Sequence, residues 1–199
     1  MKLLSVFWIM ALLFIVSCQS EEPIKSEKEQ AVDYLIKNGF SIQSGSTLNS
    51  NNRQVATLSE AKMIVLELQK LNKRSAEVPI QSVSKKNAKV QLIACEDAGT
   101  FYINRAIDGV ISGVDVQYTR SWEGEIVNIY SYSTGFIAGW SWQQIGTNVI
   151  NPDAEFCVDG IMTYGIDFGG ILLGYQAAVA LRVKFRGCVA EATSTFGHC

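Results

Sequence analysis

The longest alternation of apolar and polar positions in the chain runs from Ile171 to Phe185. Every second residue of this segment is apolar, and the residues between them become polar and basic toward its end. A period of two is typical of a β-strand that buries one face. Because these fifteen residues would extend over roughly 50 Å, we expect the strand to bend at Gly174. The apolar face also requires a second apolar layer, which strands upstream must supply.

Strand-like alternation extends through most of the C-terminal half. Six further segments share it: 89–95, 101–103, 110–118, 126–133, 136–142 and 156–164. Residues 126–133 are apolar or aromatic on both faces, which predicts a strand buried on both sides. About seven strands follow from this pattern, with glycine-rich turns between them and no proline inside them. The pattern predicts an antiparallel β-sandwich or a curled half-barrel.

Helical periodicity is confined to the N-terminal part of the chain. Two capping boxes, each a Ser or Thr followed three residues later by Glu, occur at Ser26 and Thr57. They predict helices over about Glu27–Asn38 and Leu58–Asn72, and the first helix should end at Gly39. The predicted fold class is therefore α+β, mostly β, with a small N-terminal two-helix piece.

The first residues resemble an export signal. Lys2 gives a short positive start, and residues 3–16 form an apolar run that only Ser5 interrupts. This length suits a secretory signal peptide and is short for a membrane span. The run ends in Ser17 and Cys18 without an A-x-A cleavage site. A small residue directly before a cysteine resembles the lipobox of bacterial lipoproteins.

The lipoprotein resemblance covers only these signal residues. It implies that Cys18 becomes the mature N-terminus and carries several acyl chains, which is sufficient for stable membrane anchoring. The resemblance also implies that Gln19, which stands where Asp would favour retention in the inner membrane, disfavours that retention. The acidic stretch Ser20–Glu22 is similar to the short export tag of surface lipoproteins in the Bacteroidota. The implied location is the bacterial outer membrane, on its periplasmic face or at the cell surface. The alternative is that Cys18 is an ordinary thiol.

Signal removal sets the size and charge of the mature chain. Cleavage before Cys18 leaves 182 of 199 residues, with 16 basic and 19 acidic side chains and a net charge of −3. So mild a charge argues against nucleic acid as a partner. The predicted organisation is a signal peptide at 1–17, a lipidated tether at 18–26, a helical region with a linker (73–88) at 27–88, and an antiparallel β domain at 89–199.

Four cysteines remain in the mature chain. Because an even number in an exported protein favours disulfides, we predict Cys95–Cys157 and Cys188–Cys199 among the three possible connectivities. The second pair would fix the C-terminal tail. A metal site formed by Cys188, Cys199 and His198 is the weaker alternative, because no fourth ligand lies nearby.

The segment 118–142 is rich in aromatic residues. Trp140 and Trp142 are two positions apart, so on a strand they share a face, and Trp122 lies among charged residues. Aromatic rings beside polar groups are typical of sugar-binding sites. The alternative, that they fill the core, is favoured for Trp140 and Trp142 and is balanced for Trp122. The predicted ligand-binding residues are Trp122, Trp140, Trp142, Arg120 and Glu123.

Catalytic chemistry has weaker support in the sequence. Glu123 and Glu125 could act as a paired acid and base, although they lie where a turn is expected. The only histidine, His198, is one residue from the C-terminus, and no phosphate-binding loop is present, so no cofactor is predicted. The favoured function is a non-enzymatic outer-membrane lipoprotein that binds a glycan, a peptide or an envelope partner. A small envelope hydrolase and a structural or assembly subunit are the alternatives.

Overall fold

The structure, a computed structural model, describes residues 25–43, 53–82, 97–108, 112–135 and 139–199. The predicted signal peptide, the lipobox, Cys95 and the predicted strand at 89–95 lie outside the described residues. The described part contains two helices, α1 (Glu27–Lys37) and α2 (Leu58–Lys70). Its strands are β1 (Ser41–Ile42), β2 (Arg53–Gln54), β3 (Arg74–Ser82), β4 (Gly99–Asp108), β5 (Ser112–Arg120), β6 (Ile126–Gly135), β7 (Trp140–Asn151), β8 (Glu155–Phe168), β9 (Ile171–Arg186) and β10 (Val189–Phe196).

Both predicted helices are confirmed, and both begin at their capping boxes. The side chains of Ser26 and Thr57 accept hydrogen bonds from backbone N–H groups three residues later, and a glutamate side chain returns the bond at each helix. After α1, Gly39 adopts φ +93°, and the next residue, Phe40, is buried. In the described ranges, neither helix combines the length and the hydrophobicity that a membrane-crossing helix requires.

The strands form one strongly curled, open sheet, which confirms the predicted half-barrel in an α+β, mostly β fold. The strand order is β2-β8-β9-β10-β3-β4-β5-β6, with β7 also beside β8 and β1 also beside β9. All pairings are antiparallel except the short contact between β2 and β8. The predicted strand at 171–185 is confirmed as β9, which pairs with β8 along its length.

One strand lies where the sequence predicted a linker. Part of the stretch 73–88 is β3, which pairs with β10 on one side and β4 on the other. The linker prediction was therefore wrong for Arg74–Ser82. The reason is that β3 alternates half-buried with exposed residues and buries none completely, so its hydrophobic period is weak.

A single hydrophobic core joins the helices to the concave side of the sheet. Its central aromatic side chains come from β5, β8 and β9. The ring centroid of Tyr118 lies 4.9 Å from that of Phe185 and 5.8 Å from that of Phe156. Tyr118 and Phe156 are completely buried. The interior of the half-barrel is therefore filled by side chains.

The sheet stays open between β6 and β7, although the two strands are neighbours. Among the described residues, no backbone ladder joins these strands. The side-chain amide of Gln144 lies between them instead: its Oε1 accepts from the Ser131 N–H at 2.5 Å, and its Nε2 donates to the Ile129 carbonyl at 3.2 Å. We refer to this opening, bridged by Gln144, as the seam.

Candidate functional site

Trp122 lies at the tip of a tight hairpin between β5 and β6. The Ser121 N–H donates to the Glu125 carbonyl at 2.8 Å, and the Ser121 Oγ accepts from the N–H groups of Glu123 and Glu125 at 3.2 Å each. Gly124 supplies the left-handed residue of the turn, with φ +85°. The Trp122 side chain is 96% exposed on this ordered turn.

Arg120 lies beneath the hairpin and supports it. Its residue is only 9% exposed, and its guanidinium donates to the carbonyls of Gly124 (3.2 Å) and Asp153 (3.0 Å). The guanidinium also lies over the Phe185 ring, 5.7 Å from its centroid. Arg120 therefore joins the β5–β6 hairpin to the β7–β8 turn and presents no free surface to a ligand.

The two tryptophans of β7 belong to the core. Trp142 is 8% exposed and donates from Nε1 to Ser131 Oγ at 2.9 Å, while Trp140 is half-buried against the core. The Trp142 indole occupies the space above Gly160, where any Cβ would overlap the ring. Of the five predicted site residues, the structure brings only Trp122 and Glu123 together at the surface.

The two hairpin carboxylates are separate and exposed. Glu123 and Glu125 both face solvent in the turn. Two carboxyl groups that act as acid and base need different pKa values, which usually requires that one of them is buried. This turn buries neither. The geometry therefore does not favour the paired-carboxylate interpretation of these residues.

The cysteine pairing differs from the prediction. Cys157 is bonded to Cys199, and Cys188 is also disulfide-bonded, so the predicted Cys95–Cys157 and Cys188–Cys199 pairs are wrong. The tail folds back after β10: Gly197 donates to the Ala178 carbonyl, and the Cys199 N–H donates to Asp159 at 2.7 Å. This reversal brings Cys199 to β8.

The alternative metal site is excluded by the same bonds. Cys188 and Cys199 both use their sulfur atoms in disulfides, so neither is available as a thiolate ligand beside His198. Within the ranges that the structure describes, no group of three or more His, Cys, Asp or Glu side chains is arranged to hold a metal ion.

A group of exposed tyrosines on β6 was not predicted from the sequence. That strand was predicted to be buried on both sides, and this was wrong: Tyr130 is 58% and Tyr132 is 41% exposed. Asn128 has φ +50° at a register shift between β5 and β6, and the strand beyond it turns its tyrosines outward. The sequence signal that could have predicted these exposed tyrosines is the Tyr-Ser alternation of residues 130–133, which places small polar residues on the inner face.

These tyrosines form part of the outer surface of β4, β5 and β6. Tyr102, Gln117 and Tyr130 are paired across the three strands, and Asp115 pairs with Tyr132 in a neighbouring row. We call these five residues the tyrosine face. Strand spacing places the backbones of Tyr102 and Tyr130 about 10 Å apart, and those of Tyr130 and Tyr132 about 7 Å apart.

The polar groups of the tyrosine face are held at its centre. Asp115 Oδ1 accepts from the Arg105 N–H at 2.7 Å and from Thr134 Oγ1 at 3.0 Å, which fixes the carboxylate. Partial burial, and next the nearby Asp115 and Tyr102, raise the pKa of Tyr132. The Tyr132 hydroxyl therefore stays protonated at neutral pH and can donate a hydrogen bond.

The two ends of the half-barrel are structurally distinct. At one end Lys28, in the first turn of α1, donates to the Gly169 carbonyl in the β8–β9 turn at 2.9 Å. At the other end the Ile126 N–H and Arg120 bind the β7–β8 turn beside the Trp122 hairpin. The 14 residues of β8 connect these ends over about 43 Å. We call them the helix end and the tip.

Comparisons with known proteins identify no relative. No protein-family model matches the chain, and searches of curated proteins and of solved structures find no match.

Proposed function

We propose that this chain is a lipid-anchored lipoprotein of the bacterial outer membrane whose β-rich body binds a glycan, a peptide or an envelope partner without catalysing a reaction. The lipobox-like sequence ending at Cys18 supports the anchor. The exposed Trp122 on its hydrogen-bonded hairpin is the observation that supports binding. A large aromatic side chain on an ordered turn gains little in water and much in a partner's pocket.

The position of α1 relative to the half-barrel supports presentation of Trp122 away from the membrane. Nine residue steps separate Cys18 from Glu27, so the anchor lies within about 32 Å of the start of α1. Lys28 holds that start at the helix end, and β8 runs from there to the tip. A partner outside the membrane can therefore reach Trp122.

An assembly subunit is the second candidate. It is supported by exposed aliphatic residues on β7, at Ile145, Val149 and Ile150. Because β7 borders the open seam, these side chains could contact another envelope protein. This surface is small, and for that reason we favour binding at the tip.

Site-specific photocrosslinking in cells tests both proposals. A benzophenone amino acid is placed at position 122, 145 or, as an exposed control on α2, position 69. An adduct at 122 but not at 69 is the expected result, and protease or glycosidase treatment then identifies its class. Adducts only at 145 would favour the assembly subunit, whereas equal labelling at all three positions would refute a specific site.

The anchor is tested separately by metabolic labelling with an alkyne fatty acid. Label should be incorporated into the native chain and lost in Cys18→Ala. Label retained in Cys18→Ala would contradict the lipid anchor without affecting the crosslinking result.

A further inference from the structure

We propose that the tyrosine face is a binding site for a neutral polysaccharide. This inference rests on the proposed binding function and gives it a ligand class and a second contact surface. The proposed site consists of the five residues of that face and does not include the hairpin that carries Trp122.

The aromatic residues have the spacing that a sugar chain requires. Tyr102 and Tyr130 lie two strands apart in one row, at about 10 Å, which is close to the length of a disaccharide. Tyr132 lies about 7 Å further along β6 on the same face. Successive sugar rings can therefore place their C–H faces on different tyrosine rings.

The polar groups of the face are available to sugar hydroxyls. Within the described residues, the Gln117 amide and the Tyr130 hydroxyl make no hydrogen bond, and the Asp115 carboxylate uses only one of its two oxygens. The face thus offers an amide that both donates and accepts, a fixed acceptor and phenol hydroxyls. Alternating donors and acceptors are what a row of hydroxyl groups needs.

The arrangement is the reverse of a typical protein-binding surface. Protein hot spots place apolar or aromatic anchors at the centre and polar residues at the rim. Here Asp115 and Gln117 occupy the middle strand, and the tyrosines flank them on β4 and β6. A glycan, which is polar along its whole length, fits this pattern better than the apolar side chains of a peptide.

The charge of the face disfavours an anionic ligand. The Asp115 carboxylate lies at its centre, so phosphate, sulfate or uronate groups would be repelled. The same surface continues along β5 toward the tip through Thr119, whose Oγ1 lies 3.5 Å from that of Thr100. Seven residue steps separate Asp115 from Trp122, which is at most about 23 Å, so one extended chain could reach both surfaces.

Affinity electrophoresis of the mature full-length protein in mild detergent tests the inference. The gels contain a β-glucan, a xylan, a mannan or an α-glucan, with alginate as the anionic comparison. At least one neutral polysaccharide should retard the protein. Tyr130→Ala/Tyr132→Ala should weaken that retardation about tenfold or more, because two stacking surfaces are lost. Tyr130→Phe/Tyr132→Phe should retain most of it.

One control variant and one further variant of the face make the result specific. Ile145→Ala removes an exposed apolar side chain outside the face and should leave retardation unchanged. Gln117→Ala should weaken it several-fold while the melting temperature is preserved. The inference is overturned if no neutral polysaccharide retards the protein, if alginate binds better, or if the tyrosine double variant binds like the native chain. Specific crosslinks at position 122 under any of these outcomes would leave the proposed function intact.

Discussion

The side chain of Gln144 should contribute to stability as a substitute for a backbone peptide. Across the seam it accepts from the Ser131 N–H and donates to the Ile129 carbonyl, which are the two bonds that a neighbouring strand would make. Its Oε1 also accepts from Ser131 Oγ at 2.8 Å, the same hydroxyl that receives the Trp142 indole N–H. Gln144→Met keeps a similar volume and removes both backbone bonds.

The expected loss follows from the number of bonds and their solvation. A net contribution of about 0.5–1.5 kcal/mol for each of the three bonds, including the one from Ser131 Oγ, gives about 1.5–4.5 kcal/mol for Gln144→Met. The cost should not be larger, because water at the open seam can solvate part of what is released. Gln143→Met is the matched control: Gln143 is exposed on the same strand, makes no side-chain hydrogen bond in the described part, and should change stability by less than about 0.5 kcal/mol.

Urea unfolding at constant m-value measures the difference in unfolding free energy between the two variants. Hydrogen exchange supplies a local measurement, because the Ser131 amide should be protected in the native chain and exchange faster in Gln144→Met. The reasoning would be refuted if the two glutamine variants were equally stable and Ser131 exchange were unchanged. In that case the seam would be held by packing alone.

Three further predictions concern the interior and the tail. Cys157→Ser/Cys199→Ser should lower the unfolding free energy by up to about 4 kcal/mol, because the bond closes a loop of sequence separation 42. Peptide mapping of the native chain should recover the Cys157–Cys199 pair. By elimination, it should also recover Cys95–Cys188 in the processed chain. Burial raises the pKa of Tyr118 to about 12 from 10.0. The stability that the protonated Tyr118 contributes should therefore be complete below pH 10 and be lost between pH 10 and 12. Melting temperatures measured over this pH range should show less decline for Tyr118→Phe. Gly160→Ala should cost about 1–3 kcal/mol in chemical unfolding because its Cβ overlaps Trp142, whereas Gly146→Ala, with only Asp159 at 3.9 Å, should cost less.

Features set by local sequence were predictable. Both helix starts depend on a hydroxyl and a glutamate three residues apart, and both lie at Ser26 and Thr57 as expected. The strand at 171–185 was predictable because one buried face imposes a period of two on the residues themselves. The hairpin around Trp122 followed from its polar, glycine-containing sequence.

Features set by distant contacts were not predictable. A core position was the favoured interpretation for Trp142, but the contact of its ring with Gly160 on β8, which leaves room for it, is not contained in the spacing within β7. Cys199 reaches Cys157 because the tail reverses across β9 after β10 ends. The strand β3 forms because β10 and β4 offer it two edges, not because its own apolar pattern is strong.

The tyrosine face depends on an irregularity in β6, and a second irregularity lies beside the face in β4. Arg105 on β4 and Asn128 on β6 have φ of +52° and +50°, and each lies at a register shift against β5. Because side chains alternate along a strand, a one-residue slip exchanges its two faces. A regular β6 with its start fixed at Ile126 would turn Tyr130 and Tyr132 toward the core. Such positive-φ residues carry a conformational cost, and the Asp115 carboxylate offsets part of it by binding the Arg105 N–H. Strain is thus found beside the outward tyrosines, which is consistent with a surface that has a role beyond folding.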